Sequence, residues 1–295
     1  MQRLTYILTL PFIHLISRLP FPVLYGLSDF LCVVVYRIIG YRRKVVRANL
    51  AKSFPELRAD QRKMIERLFY SYFCDLVLET MKLLTISKRS LLKRVDVSGL
   101  NVIEGYARAG RSVIVAMGHT ANWEFACAAL ARHLDSEFHV IYHPLSNPYF
   151  DSLLYKMRTR HTTILHPMDK AIQRVLRAHG KVTVTAFVAD QTPPPQTAFW
   201  TWFLEQETPF FQGLGKLAVK LNRPVVFVSV IRVGRGRYRL EEEVLTDQSA
   251  NYPVEEVLRR YAASLQINIH DQPADWLWTH RRWKHKRLPN QELIE

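Results

Sequence analysis

The stretch SVIVAMGHTANWEFACAALA, residues 112–131, places a strand pattern directly before a helix pattern. Residues 112–117 form a short run of small and apolar side chains that stops at Gly118, which is typical of a buried strand. The alanine-rich run from Glu124 onward is typical of a buried helix. A buried strand followed by a helix is the unit from which α/β sheets are built. The stretch therefore predicts an α/β protein whose functional side chains lie where this strand ends.

Two ionisable residues stand at that strand end. His119 follows Gly118 directly, and Glu124 comes five positions later, at the start of the predicted helix. An imidazole accepts a proton near neutral pH, and a carboxylate can fix its tautomer and stabilise the imidazolium. We therefore interpret His119 as a general base and Glu124 as its orienting acid, with Gly118 allowing the chain to turn back. A structural histidine, and an acid that only favours a helix N-terminus, are the alternatives.

The remainder of the chain alternates between strand and helix patterns. The predicted helices cover residues 55–84, 124–134, 147–160, 168–179, 213–221 and 254–268. The predicted strands cover residues 112–117, 137–142, 162–165, 181–189 and 224–233, with an antiparallel edge strand at 237–244. This order predicts an α/β fold with a largely parallel central sheet and helices on both faces. We predict an irregular loop over residues 191–212, which is too long for a plain connector and whose aromatic side chains suit an apolar substrate.

The first forty residues are more apolar than the rest. Residues 4–16 and 21–36 are almost entirely apolar, but neither reaches the roughly 20 uninterrupted residues of a clear membrane span. A basic cluster follows between positions 37 and 47, as expected on the cytoplasmic side of a membrane. We therefore predict a membrane anchor over residues 1–40, spanning the bilayer or lying in its interface, and a catalytic domain over residues 41–295. A pair of amphipathic helices buried against that domain is the alternative.

Basic residues dominate the charge of the chain. The formal net charge is +15 and the sequence pI is about 9.9, so an anionic partner is expected: nucleic acid, an anionic membrane surface or an acidic protein. No recognisable nucleic-acid-binding module is present, and we expect no nucleic-acid partner. The three cysteines, Cys32, Cys74 and Cys127, are far apart in apolar contexts, so they predict neither a disulfide framework nor a metal site. No cofactor is predicted.

Several further motifs follow one another along the chain. They are residues 41–50 with Ser53-Phe54-Pro55, Gly118-His119 with Asn122-Trp123-Glu124, Arg158, Asp190-Gln191, Thr208-Pro209-Phe210-Phe211, and Trp278-x-His280-Arg281-Arg282-Trp283-Lys284. In this order they resemble the late acyltransferases of lipid A biosynthesis, the lauroyl/myristoyl transferase family, whose His-x4-Asp/Glu box is shared with glycerolipid acyltransferases. The resemblance covers nearly the whole chain. Thr162-Thr163 and Gln212-Gly213-Leu214-Gly215 depart from the family pattern, which bears on the acyl chain and the acceptor rather than on the chemistry.

The resemblance implies a membrane-bound O-acyltransferase with a glycerolipid acyltransferase-like fold. Its expected reaction moves a fatty acyl chain from acyl carrier protein to a hydroxyl of a lipid A precursor. Another lipid acceptor, either a glycerolipid, an aminolipid or another glycolipid, is the alternative. The expected location is the inner, cytoplasmic membrane, with the catalytic domain facing the cytoplasm. The basic surface would then serve the acidic carrier protein and the anionic membrane surface.

The resemblance also assigns residues to the site. The expected catalytic residues are His119, Glu124, Arg158 and Asp190. Arg158 is expected to stabilise the oxyanion, and Asp190 either to hold Arg158 or to position the acceptor. The expected substrate-binding residues are Asn122, Trp123, Gln191, Phe210 and Phe211, with a helix cap as the alternative role of Asn122. A non-catalytic basic protein would leave His119 and Glu124 unexplained, and a metal hydrolase would lack ligands.

Overall fold

The computed structural model describes residues 2–170, 173, 175, 180–289 and 291–294. Seven strands form the central sheet: β1 (Val95–Asp96), β2 (Val113–Met117), β3 (Glu137–Tyr142), β4 (Ile164–Pro167), β5 (Thr183–Val188), β8 (Val225–Gly234) and β9 (Arg237–Thr246). Two more form a separate hairpin: β6 (Ala198–Phe203) and β7 (Gln206–Phe211). The strand order in the sheet is β1-β9-β8-β2-β5-β3-β4.

The central sheet confirms the predicted α/β fold. Every neighbouring pair is parallel except β8 with β9. Strand β2 is fully buried in the middle, between β5 and β8. Strand β9 is antiparallel as predicted, but it is not an edge strand, because the short β1 pairs with its outer side.

The register of β2 and β5 positions the site. Met117 at the end of β2 lies beside Val188 at the end of β5. His119 and Asp190 each follow these partners by two residues, so the two side chains leave the sheet at the same edge. Parallel strands bring their carboxyl ends together in this way, and binding sites of open α/β sheets lie at that edge.

Helices cover both faces of the sheet. They are α1 (Gln2–Arg18), α2 (Phe21–Cys32), α3 (Arg43–Ser53), α4 (Ala59–Lys82), α5 (Lys88–Leu92), α6 (Asn101–Arg108), α7 (Trp123–His133), α8 (Pro148–Thr159), α9 (Gly213–Leu221) and α10 (Val254–Asp271). One apolar core packs α4, α9 and α10 on the first face, and a second packs α6, α7 and α8 on the other. The alternating side chains of the buried strands supply both cores.

The N-terminal helices lie against α4 rather than apart from the domain. Helix α2 continues as a π-helical segment, Val33–Ile39, and the stretch Phe21–Ile39 is long and apolar enough to cross a membrane by length and composition. One side of α2 packs on the domain: Leu24 is buried, and Ser28 Oγ donates a hydrogen bond to Asp75 Oδ1 at 2.7 Å. The other side stays exposed. The division into an anchor over 1–40 and a catalytic domain over 41–295 stays a prediction.

Two local predictions differ from the structure. The segment 191–212 is not irregular throughout, because residues 198–211 form the β6–β7 hairpin, which turns through left-handed backbone at Leu204 (φ 51°) and Glu205 (φ 59°). Aromatic residues and threonine, which make up most of β6, favour a strand. The helix predicted over 168–179 starts with a 3-10 turn at Met168–Lys170, and most of its remainder lies outside the described residues.

Candidate active site

The side chains of His119 and Asp190 meet where β2 and β5 end. His119 Nδ1 lies 2.5 Å from Asp190 Oδ1, and the His119 backbone N–H donates to Asp190 Oδ2 at 3.0 Å. Trp276 Nε1 donates to the same Oδ2 at 2.7 Å. Asp190 is therefore the acid that orients His119. The prediction that Asp190 holds Arg158 is wrong, because its oxygens engage His119 and Trp276.

The electrostatics of Asp190 set the tautomer of His119. Burial raises the pKa of the Asp190 carboxyl, but the neighbouring His119 and three hydrogen bonds outweigh burial, so this pKa lies well below its usual range. The charged carboxylate requires a proton on the Nδ1 that faces it. Nε2 is then the acceptor nitrogen of the ring, and it accepts a hydrogen bond from the Gln191 side-chain nitrogen at 3.3 Å on the cavity side.

Glu124 holds Arg158 instead of His119. Arg158 Nε donates to Glu124 Oε2 at 3.0 Å and Nη2 donates to Oε1 at 2.5 Å, which is a two-pronged guanidinium–carboxylate pair. Burial raises the pKa of Glu124, but the charge and hydrogen bonds of Arg158 outweigh it, and the pKa lies below its usual range. The prediction that Glu124 orients His119 by hydrogen bonding is therefore replaced by a Glu124–Arg158 pair in the same site.

Asn122 caps α7 and does not reach the cavity. Its Oδ1 accepts a hydrogen bond from Phe125 N at 2.8 Å, the standard role of an N-cap asparagine. Its Nδ2 donates to Glu79 Oε2 at 2.6 Å, and the residue is fully buried. The expected substrate contact of Asn122 is therefore corrected to the capping role that was its alternative.

The turn between β2 and α7 does not depend on an unusual glycine backbone. The left-handed conformation falls on Ala121 (φ 44°), whereas Gly118 is needed for space. A Cβ on Gly118 would overlap Cδ1 of Leu265, a fully buried side chain of α10, and would lie 3.6 Å from Asp190 Oδ2. Gly118 thus lets α10 pack directly beneath the site.

Replacing Gly118 with alanine is expected to destabilise the protein by about 1–3 kcal/mol, because the added methyl group overpacks this contact. Chemical denaturation measures the change. In a Leu265→Ala background the same replacement is expected to cost less, because the clashing methyl group is gone. Gly105→Ala is the control, since no atom lies within 4 Å of its added Cβ. An equal cost of Gly118→Ala in both backgrounds would contradict this account.

A cavity of about 1050 Å³ opens beside His119. Six of the predicted site residues line this cavity: His119, Trp123, Glu124, Arg158, Gln191 and Phe211. Trp123 sets its ring edge-to-face with His119, with the centroids 4.8 Å apart. Phe210 is fully buried in the core against Phe203, so its expected substrate contact is not seen. Adjacent strand residues point to opposite faces, which separates Phe210 from Phe211.

The cavity has apolar walls and a polar rim. Its apolar walls include Leu83, Cys127, Ala128 and Val140, which are buried, and Val188, which is half-buried. Side chains at the rim include His143, His280, Lys284 and His285. Burial, with the nearby charge of Arg282, lowers the pKa of His280 to about 4, so His280 is neutral at physiological pH. A long apolar group can therefore occupy the interior while a polar head stays at the rim.

Residues outside the predicted set hold Asp190, the end of β2 and the loop 119–122 in place. Trp276 fixes Asp190, Tyr261 OH donates to Met117 O at 2.9 Å, and Tyr72 OH donates to Ala121 O at 2.7 Å. Nothing in the sequence distinguishes these aromatics from ordinary core residues, because each is distant along the chain. In the part of the chain that the structure describes, no group of three or more His, Cys, Asp or Glu residues is placed to hold a metal ion.

The fold and the site are those of an α/β enzyme in which a carboxylate-bound histidine faces an apolar cavity. The chain belongs to the bacterial lipid A biosynthesis acyltransferase family, whose model matches residues 1–285. It is 21% identical over 268 residues to a lipid A biosynthesis acyltransferase of Haemophilus influenzae, covering 90% of this chain and 83% of that protein. It is 24% identical over 277 residues to a lipid A biosynthesis lauroyltransferase of Escherichia coli K12, covering 92% and 88%. The chain is therefore an acyltransferase, as its motifs predict.

Proposed function

We propose that this protein transfers a fatty acyl chain from acyl carrier protein to a hydroxyl of a lipid A precursor, a late acylation in lipopolysaccharide biosynthesis. The observation that carries the proposal is the His119–Asp190 pair facing an apolar cavity in a chain of this family. A hydroxyl nucleophile needs a base at the reacting oxygen, and an acyl donor needs an apolar space for its chain. Both lie on the same cavity.

In the proposed mechanism His119 Nε2 takes the proton of the acceptor hydroxyl as its oxygen attacks the thioester carbonyl. Asp190 holds the proton on Nδ1 and stabilises the imidazolium that forms. The tetrahedral intermediate then collapses: the carbon–sulfur bond breaks, the ester forms, and the thiolate takes the proton from His119. This base catalysis contributes about 10²–10⁴-fold to the rate.

Two donors are proposed to stabilise the oxyanion of the intermediate. Arg158 uses Nε and Nη2 on Glu124, which leaves Nη1 for a substrate oxygen. Gln191 places its amide beside His119 Nε2, next to the reacting atoms. Glu124 contributes by fixing the guanidinium of Arg158 in the cavity wall. Donors held in place before the reaction stabilise the developing charge without reorganisation.

The two substrates are proposed to approach from opposite sides. The acyl chain enters the apolar interior past Trp123 and Phe211, because the phosphorylated sugar lipid is too bulky and too polar to follow it. The acceptor hydroxyl then reaches His119 from the rim. The net charge of +15 favours long-range attraction of an anionic partner, such as the acidic carrier protein.

The apolar N-terminal helices are proposed to place the protein at the cytoplasmic face of the inner membrane. Helix α2 and its extension contact α4 along their length, through Ser28 on Asp75 and Tyr36 on Tyr70. A helix packed on the domain along one side supports a position in the membrane interface, with its exposed apolar side inserted. The basic residues between 37 and 47 then face anionic headgroups.

The Ile38→Ser, Ile39→Ser double variant is expected to bind anionic vesicles about 10-fold or more weakly, because these side chains are 74% and 66% exposed and would insert into the bilayer. Flotation of purified protein with phosphatidylglycerol-containing vesicles measures the change. Ile267→Ser on α10 is the matched control, since Ile267 is 61% exposed outside the N-terminal helices. Equal binding of both variants would count against this membrane contact.

Acyl transfer by the purified protein tests the proposed function. Acyl-acyl carrier protein and acyl-coenzyme A are supplied as alternative donors, and a tetra-acylated lipid A precursor, a glycerolipid and an aminolipid as alternative acceptors. Mass spectrometry of the products is expected to show acylation of the lipid A precursor, with the carrier-protein donor preferred. Transfer only to another lipid class would retain the chemistry and replace the acceptor, and no transfer to any hydroxyl would refute the proposal.

A further inference from the structure

A buried carboxylate outside the cavity connects three parts of the molecule. Glu79 on α4 is fully buried and does not line the cavity. Its Oε1 accepts a hydrogen bond from Tyr25 OH at 2.7 Å, and its Oε2 accepts from Asn122 Nδ2 and Tyr238 OH, each at 2.6 Å. These donors come from the apolar helix α2, from the cap of α7 and from β9. The mechanism of acyl transfer gives Glu79 no role.

Asn122 connects Glu79 to the active site. It lies between His119, three residues before it, and Glu124, two residues after it. Its Oδ1 caps the first turn of α7, from which Glu124 projects towards Arg158. One side chain thus bonds both Glu79 and the helix N-terminus. Because the donor and acceptor atoms of an amide are fixed relative to one another, holding Nδ2 also orients Oδ1.

A second chain of contacts joins α2 to the same loop. Ser28 Oγ donates to Asp75 Oδ1 at 2.7 Å, and Asp75 pairs with Arg232 at 3.3 Å. Arg232 reaches Asp275 at 3.5 Å, and Asp275 O accepts from Ala121 N at 2.7 Å. Both paths therefore begin on α2 and end within residues 119–122. Buried charged and polar groups of this kind stay in one arrangement, because breaking any of these contacts leaves a buried group without a hydrogen-bond partner.

We propose that Glu79 is a positioning residue for acyl transfer, which fixes Asn122 and the His119 loop and ties that loop to the apolar helix α2 through Tyr25. The proposal rests on the proposed function only for its catalytic readout. It makes α2 a part of the scaffold of the active site as well as a membrane contact. A displacement of about 1 Å at reacting groups can cost about 10²-fold in rate, so loosening this loop has a measurable effect.

Hydrogen exchange with and without Glu79 tests the link directly. In Glu79→Ala the amides of residues 119–126 are expected to exchange at least about 10-fold faster, because Asn122 loses the acceptor that orients it. kcat is expected to fall by about 10- to 100-fold with KM within about two-fold. Glu79→Gln keeps one side-chain oxygen for Asn122 and is expected to recover most of both losses. In an Asn122→Ala background, Glu79→Ala is expected to add little.

Tyr25→Phe tests the connection to α2, because it removes only the hydroxyl that bonds Glu79. The amides of residues 119–126 are expected to exchange about three-fold faster or more than in the natural protein. Tyr6→Phe is the matched control, because Tyr6 on α1 packs by its ring on Tyr149 and Phe150. The control is expected to leave loop exchange and kcat unchanged.

Three results would overturn the proposal. The first is a folded Glu79→Ala protein in which the loop amides exchange at the same rate as in the natural protein. The second is a loss of kcat that is no larger than the fraction of the variant that is unfolded. The third is a Tyr25→Phe effect confined to residues 21–39, which decides the link even where Glu79→Ala does not fold. The exchange measurement uses no substrate. Absence of acyl transfer in the natural protein would therefore refute the proposed function without touching the exchange result.

Discussion

Replacement of His119 with alanine is expected to lower kcat/KM for acyl transfer by about 10²–10⁴-fold, because the acceptor hydroxyl loses the base that takes its proton. His119 Nε2 is the ring nitrogen directed to the cavity, while Nδ1 is committed to Asp190. The thioester assay with a fixed donor and acceptor measures the loss. The side chain is largely buried at 14% exposure, so thermal denaturation is run in parallel to show that the variant is folded. Full activity in a folded His119→Ala protein would exclude the mechanism.

Two carboxamide variants then identify the acid that serves His119. Asp190→Asn is expected to lose nearly as much activity as His119→Ala, and the double variant no more than the larger single loss, because the two residues act as one unit. Glu124→Gln is the matched control: its carboxyl contacts Arg158, so its loss is expected to be smaller and to add to that of His119→Ala. The reverse order of effects would restore Glu124 as the orienting acid.

Replacement of Arg158 with alanine is expected to lower the free energy of unfolding by about 3–5 kcal/mol, since it leaves the Glu124 carboxylate buried without its partner. The Glu124 side chain is 8% exposed and that of Arg158 is 24% exposed. Denaturant titration measures the loss. Arg111→Ala is the control, because it breaks the exposed pair with Asp247 and is expected to cost about 0–1 kcal/mol. A loss in Arg158→Ala no larger than that of the control would contradict this account.

The pH dependence of this loss follows from the pKa of Glu124. In the natural protein that pKa is held below its usual range, so the pair contributes fully above the unfolded-state pKa and the contribution disappears as pH falls through the folded-state pKa. Without Arg158, burial is the largest remaining effect on the carboxyl, and it raises the pKa of Glu124. The deficit of Arg158→Ala is then expected to be largest near neutral pH and to shrink on acidification, when Glu124 takes up a proton. Replacing both partners with Leu and Met is expected to recover most of the stability.

Much of the fold could be predicted because local patterns report local structure. The apolar run that became β2 and the alanine-rich run that became α7 have the periods of a buried strand and a buried helix. The strand at Glu137–Tyr142 and the helix at Gly213–Leu221 have the predicted bounds. The β6–β7 hairpin was less visible, because Pro209 and the adjacent aromatic pairs Phe199-Trp200 and Trp202-Phe203 break the alternation of a half-buried strand. The inner position of β9 was also hidden, since its partner β1 is only two residues long.

The same difference between local and long-range contacts applies to the candidate site. His119, which lines the cavity, could be predicted as a site residue because a strand end and a motif order both indicate it. Its partner could not, because Asp190 lies 71 residues away and reaches His119 only through the parallel register of β2 and β5. Glu124 is nearer in the sequence, yet its position on the first turn of α7 faces Arg158 on α8, 34 residues downstream. Nearness along the chain therefore predicted a contact of Glu124 with His119, whereas in the structure Asp190 makes that contact.

Periodicity and motif order were thus enough for the α/β fold and the acyltransferase family, and they predicted His119 as the base. The tertiary structure alone decided which carboxylate serves that histidine, why Gly118 has no side chain, and which residues line the cavity. The reason is physical. Strand and helix patterns depend on neighbours a few residues apart, whereas hydrogen bonds and packing depend on distances in space. Strand order and register set those distances for Asp190, and the packing of α10 sets them for Gly118.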